Sequence, residues 1–419
     1  MGPALIFDKS TLESLNIDEA IWLEHLFICN ITPLFYVESL SDLHKTIGDG
    51  RTSEKIVKDL AYKTPEQGAV NIAHHTLILQ DFLGNPVPMD GRPIVGGGET
   101  RIDTEGKIGV YHDQFPEMEA FSRWQNYEFR EVEQKFAKDW RNLVSNLDFD
   151  YTIVLVKNTV PVGTKLSNIQ DVKNFSDKFI TGSYKELIQL ALDILGMPTN
   201  YYDRILSRWE REGKPALNVF APYAAFCFKV DIFFYLCLHK SYIAKERPSN
   251  KIDLSYLYYL PFCNVFTSKD SLHRRIAPLF MENGQSFVWG PDMKTSLSLT
   301  DQEFMKFPDE VKRRGVMCFA TYPPDSIETE VSKMWDQYCS AWRKHKSEKE
   351  NPEPRDPEED KRLVEHLNNL EKNSQRVPNS YRSVEKEPDH MVFKRKVRAK
   401  KGKWSMFPPE VLDNIPENS

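Results

Sequence analysis

The chain has no framework of paired cysteines. Its six cysteines stand at positions 29, 227, 237, 263, 318 and 339, none forms a C-x-x-C pair, and several lie in apolar runs. That pattern argues against a disulfide scaffold and a zinc site, and reads as buried free thiols in a reducing, cytoplasmic compartment. No apolar segment is free of charge over a membrane's thickness. The longest, 216–238, carries Lys229 and Asp231 in its middle, so a core helix is expected there and no membrane partner. The opening residues, MGPALIFDKS, lack the basic run of a signal peptide. Positive charge is not in excess: 55 Lys and Arg against 61 Asp and Glu give a formal net charge of −6, so any nucleic acid must be held by a local patch. Gly96 to Gly98 are not followed by the Gly-Lys-Ser/Thr of a phosphate loop and read as a turn. His74 and His75 have no further ligand at metal spacing and read as structural.

What the chain does have is a unit, DLSYLYYLPFCNVFTSKD, that begins and ends on a carboxylate, Asp253 and Asp270. Asp253 opens a helical turn that Pro261 ends. A strand over 264–267 then delivers Asp270, and ligands of open α/β sheets gather beyond the carboxyl ends of strands. Earlier, the apolar run Ala4 to Phe7 fits a buried parallel strand ending on Asp8. Ser10 and Glu13 have capping-box spacing, so Ser10 is expected to cap a helix running to about Cys29 and Asp8 is free of that duty. Thr32 and Pro33 start another helix, with Leu34, Glu38 and Asp42 on one face. Asp42 alone reads as a solvated helix edge.

The remainder is read more coarsely. Residues 46–197 are expected to hold loops, hairpins and helices: one long amphipathic helix through Met118, Trp124, Phe136, Trp140 and Leu143, a strand over 152–156, and a helix capped by Ser183 and running to Leu195. A helix is expected over about 219–244. After Asp270 a helix carries His273, Arg274 and Arg275 in its first turns, and Asp292 follows a further apolar run. Beyond Lys344 the composition turns polar, which predicts disorder with one helix near 363–370. The closing basic cluster, FKRKVRAKKGKW, reads first as a solvated tail, with an arm that holds a phosphate backbone as the alternative.

Four acids thus share one pattern, standing at the ends of βα units: Asp8, Glu38, Asp253 and Asp270. Crowded carboxylates repel unless cations neutralise them, and hard ions such as Mg²⁺ or Mn²⁺ suit an all-oxygen site. Two such ions ~3.5–4 Å apart promote attack on a phosphodiester and stabilise its leaving oxygen. In order and type, ALIFD, ITPLFYVESL, the helical Asp253 and VFTSKD resemble the PIN-domain nuclease family over about residues 3–45 and 215–290. The resemblance implies a PIN-like α/β/α sandwich around a parallel sheet, built from residues 1–45 and 198–343. A large, mostly helical insertion would occupy 46–197, with a charged, partly disordered tail over 344–419. It implies that Asp8, Glu38, Asp253 and Asp270 bind Mg²⁺ or Mn²⁺ and catalyse cleavage, of RNA in preference to DNA. Ser268, Arg274 and Arg275 are then substrate-binding candidates, and Asp42 and Asp292 lie at the rim. The alternative is a PIN-like scaffold that binds nucleic acid or a protein partner without cutting. A homo-oligomer stays open.

Overall fold

The computed structural model describes residues 2–45, 50–103, 106–282, 284–350, 374–378 and 388–408. Short apolar runs build its central sheet: β1 (Ala4–Phe7), β2 (Ile28–Ile31), β3 (Ala69–Val70), β4 (Val265–Ser268) and β5 (Ser286–Trp289). All four pairings are parallel, in the order β3-β2-β1-β4-β5. Both faces of β1 and β4 are buried, which explains the unbroken apolar run of β1, while β4 ends on the buried hydroxyl residues Thr267 and Ser268. The fold is mixed α/β, with helices flanking an all-parallel five-stranded sheet. Residues 69–70, inside the stretch read as an insertion, supply one edge strand.

The helices that position the site are α1 (Lys9–Ser14), α2 (Ile17–Leu26), α3 (Pro33–Ser41), α4 (Glu131–Ser145), α5 (Pro222–His239), α6 (Asn250–Ser255), α7 (Ser271–Phe280) and α8 (Gly290–Met305). Helix α5 is the expected core helix. Its Asp231 is buried and accepts hydrogen bonds from Lys251 and the Tyr258 hydroxyl. Among the described residues no helix is long and apolar enough to cross a membrane. All six cysteines are free; four are buried, Cys339 is half-buried and Cys318 is exposed.

Several local expectations are corrected. The helix expected from Ser10 to Cys29 is two helices and strand β2, and its first cap is Asp8, whose carboxylate accepts the Thr11 amide at 2.9 Å. Residues 150–157 are helical, not a strand. An apolar run this short fits either state, and Phe149, just ahead of the helix, packs against Phe234 and Tyr235 of α5. The long amphipathic helix breaks between 124 and 131, where Tyr127 takes a positive φ of 62°. Ser183 does not cap its helix, because its hydroxyl is drawn to the Lys214 carbonyl.

The largest correction concerns the basic cluster, which is built into the body rather than solvated. The strand 390–393 lies parallel to 108–112, alongside the hairpin formed with 99–102. Lys401 is fully buried, 2.7 Å from Glu24 Oε2, and also donates to the Thr64 carbonyl at 3.1 Å. Arg398 pairs with Glu66 at 3.2 Å, and Lys403 reaches Asp301 at 2.5 Å. Trp404 packs edge-on against Trp22, with ring centroids 4.9 Å apart, and both indoles donate to Asp301 Oδ1. Arg398, Lys401 and Lys403 are thus paired with internal acids, so this part of the cluster is a strap tied into the body, while Lys394, Lys396 and Lys400 stay exposed. The helix expected near 363–370 lies outside the described residues.

Candidate functional site

The sheet brings Asp8 and Asp270 together. β1 and β4 are neighbours, with Phe7 opposite Thr267, so the chain leaves both at the same carboxyl edge. Each acid then caps the helix that follows its strand. Asp8 Oδ1 accepts Thr11 N, while Asp270 Oδ1 accepts Leu272 N at 2.6 Å and His273 N at 3.3 Å. Glu38 arrives on α3, which starts as the sequence implies, with Thr32 accepting the Phe35 amide and Pro33 in the first position. Asp253 sits within α6, three residues after its start, rather than opening it.

The four acids share an electrostatic neighbourhood. Burial pushes the Asp253 carboxyl up, Glu38, Asp270 and Asp8 push it further, and only His273 opposes them, so it titrates at about 7. Burial likewise raises Glu38, aided by Asp8 and Asp42 and opposed by Lys9 and by the hydrogen bond from Tyr256. Asp8 goes the other way: burial alone would raise it, but donors from His273, Ser10 and Ser268 hold it below the usual carboxylate range.

At the centre stands His273, a residue sequence reasoning left in the background. Its ring is fully buried. Nε2 donates to the Asp253 carbonyl at 2.6 Å, and Nδ1 lies 2.8 Å from Ser268 Oγ and 3.5 Å from Asp8 Oδ2. Burial alone would lower its pKa, yet Asp8 and Asp253 raise it to about 9, so the imidazolium is the local counter-ion. The trio Asp8, Ser268 and His273 has the composition of a nucleophilic triad without its geometry. A triad places serine and acid on opposite ring nitrogens. Here both sit at Nδ1, and the serine is fully buried.

Ser268, a substrate-binding candidate by sequence, is instead enclosed between the acids. Its hydroxyl donates to Asp8 at 2.8 Å and accepts the Asp270 amide at 2.9 Å, which fixes the spacing of the two acids. Arg274 and Arg275 are exposed; Arg274 lies over the Trp289 ring at 4.8 Å, and Arg275 donates to the Tyr242 carbonyl at 2.8 Å. Asp42 is not a solvated edge but 1% exposed, and Lys9 neutralises it at 3.0 Å. Asp292 is exposed in the first turn of α8.

Whether these groups suit a divalent ion turns on their free oxygens. No donor among the described residues reaches the Asp253 carboxylate, and each of Glu38 and Asp270 keeps one oxygen without an internal donor. Asp8 has none to spare: Thr11 N takes Oδ1, and the Ser10 and Ser268 hydroxyls take Oδ2 beside His273. As they stand, no three carboxylate, histidine or thiol side chains among the described residues are grouped to ligate one ion. The donor chemistry fits Mg²⁺ or Mn²⁺, while the coordination shell is not preset. Comparison with family models, with curated proteins and with solved structures gives no match.

Proposed function

We propose that the protein is a metal-dependent nuclease of PIN-like architecture that cleaves RNA in preference to DNA. One observation carries the reading: Asp8 and Asp270 leave adjacent parallel strands at one edge, and Glu38 and Asp253 lie close enough that burial and like charge together drive Asp253 to a pKa of about 7. An all-carboxylate cluster under that repulsion favours a hard dication. Glu38, Asp253 and Asp270 would hold it through their free oxygens after modest side-chain rotation. Asp8, locked by Ser10, Ser268 and His273, would orient the cluster. Mg²⁺ or Mn²⁺ supplies charge stabilisation for the attacking and leaving oxygens of a phosphodiester. Tyr256, whose hydroxyl donates to Glu38, fixes that carboxylate's direction.

The second reading, a PIN-like scaffold that binds nucleic acid or protein without cutting, has its own support. Lys9 lies beside Glu38 and Asp42, and burial, which would lower its pKa, is outweighed by those acids. Lys9 and His273 thus already neutralise part of the cluster. Incubation of purified protein with single-stranded RNA and Mn²⁺ or Mg²⁺, with Asp253→Asn in parallel, separates the two. The nuclease reading expects cleavage by wild type that EDTA and the substitution both abolish. Wild-type protein that takes up no Mn²⁺ and cuts neither RNA nor DNA establishes the scaffold instead.

A further inference from the structure

A cleft of about 560 Å³ opens beside Glu38. One wall is α4, from the stretch read as an insertion, which docks on the end of α3: His44 meets the Gln134 carbonyl at 3.0 Å, and Arg141 donates to the Ser41 carbonyl at 3.4 Å. The opposite wall is the segment 246–252, which leads into Asp253. The cleft therefore ends where two of the four acids lie.

Its charge is unbalanced in a specific way. The buried Asp42 carboxylate gathers three cations, Lys9 at 3.0 Å, Lys45 at 3.8 Å and Arg141 at 3.9 Å. Four cations line the cleft, Lys9, Lys45, Arg141 and Arg247, against three acids, Glu38, Asp42 and Glu246, so one positive charge is left over. Lys45 is exposed and Arg141 half-exposed, so surplus positive charge faces the opening. Arg247 faces it from the other wall, exposed, beside Glu246. Between them lies the half-exposed indole of Trp140, stacked on Phe136 with 16° between the rings. Cations spaced around a flat aromatic are what an unpaired nucleotide needs, a charge for its phosphate and a stacking face for its base.

We propose that this cleft holds a single-stranded nucleic acid, its phosphates on Lys45, Arg141 and Arg247 and one base against Trp140. A duplex keeps its bases stacked inward and offers no face to the indole. An acidic peptide would satisfy the cations and leave Trp140 unused. The proposal rests on the nuclease reading for its direction, since the strand then runs toward Glu38 and Asp253. Binding itself is independent of cleavage.

The test is fluorescence anisotropy of a labelled single-stranded RNA on the full chain in EDTA, at several salt concentrations. The triple variant K45Q/R141Q/R247Q is expected to bind at least about tenfold more weakly at low salt. Its slope of log K against log [salt] should flatten by roughly two, at ~0.7 for each phosphate that a cation no longer neutralises. Trp140→Ala is expected to weaken binding about tenfold with the slope unchanged, because stacking releases no counterions. Circular dichroism confirms that each variant is folded. Wild-type affinity in the triple variant overturns the proposal, as does a duplex of the same sequence, or a polyglutamate peptide, that binds as tightly as the single strand. Unchanged affinity in the variants with cleavage by wild type defeats the cleft alone. Variant-sensitive binding with no cleavage under any metal supports the cleft and defeats the nuclease reading.

Discussion

His273 and Asp8 form a buried pair, Nδ1 to Oδ2 at 3.5 Å, with the Ser268 hydroxyl bonded to both. The imidazolium is retained because the Ser268 hydroxyl and the Asp253 carbonyl take up its two N–H directions and the Asp8 carboxylate lies beside Nδ1. The pair makes stability depend on pH with a definite sign. The folded pKa of His273, about 9, lies above its ordinary value of 6.5, so its contribution is complete below 6.5 and is lost as pH rises through 9. Asp8 is held below 3.8, so its contribution is present above that value and lost only in acid. Asp253, raised to about 7 from 3.8, also loses its contribution as pH rises. Metal-free protein is therefore expected to be less stable at pH 9 than at pH 6 by a few kcal/mol. Urea denaturation at the two values checks this; equal midpoints would mean that neither the His273 imidazole nor the Asp253 carboxyl holds its proton more tightly in the folded protein.

On the proposed nuclease reading, Asp253 sets a second dependence, on ion uptake. A carboxyl titrating at about 7 must release its proton before it can ligate. Mn²⁺ affinity should therefore fall below neutrality, approaching about tenfold per pH unit for one displaced proton. Calorimetry in buffers of different ionisation enthalpy should detect close to one proton released per ion at pH 6. Asp253→Asn should lose both the binding and the proton signal. Its fold should hold, since the substitution removes a charge that the site disfavours.

Asp270→Asn separates metal binding from capping at one position. Asp270 is a helix cap, accepting Leu272 N and His273 N, and asparagine caps as well as aspartate. Stability should change by less than about 1 kcal/mol. The neutral amide is a poorer ligand, so Mn²⁺-dependent cleavage should fall by at least about tenfold. Full activity in a stable Asp270→Asn protein would reduce the residue to its cap.

What the sequence revealed follows the range of each interaction. β1 is legible because both of its faces are apolar, β4 because Val265 and Phe266 open it after the stop signal of Pro261, and the α3 start because Thr32 and Pro33 act within one turn. Asp8 and Asp270 could be placed because a strand's end is a local feature. The role of His273 could not, since its partners are Asp8, from the end of the first strand, and the Asp253 carbonyl, twenty residues back. Nothing local marks Lys9, which only the fold sets against Asp42. The error over 150–157 is of another kind: a short apolar run is compatible with both helix and strand, and packing on α5 decides between them.

The strap shows how far composition can mislead. A run of six Lys and Arg within 394–401 reads as solvated, yet Lys401 is 1% exposed and paired with Glu24, 377 residues earlier. Glu24 Oε1 also accepts the Glu66 and Gln67 amides at 2.7 and 3.0 Å, so this carboxylate ties three chain segments together. Lys401→Met leaves a buried carboxylate without its cation and is expected to destabilise the protein by about 3–5 kcal/mol. Adding Glu24→Gln removes the stranded charge while one amide oxygen can still accept the backbone donors, so the double variant should regain part of the loss. Lys403→Gln, which breaks a more exposed pair with Asp301, should cost under about 1 kcal/mol. Urea midpoints at constant slope measure all three. Helix α2 ends beside the start of β2, at the sheet edge opposite Asp8. Lys401→Met held at a temperature where it is folded should therefore keep wild-type RNA affinity. A loss of affinity there would couple the strap to the acidic edge.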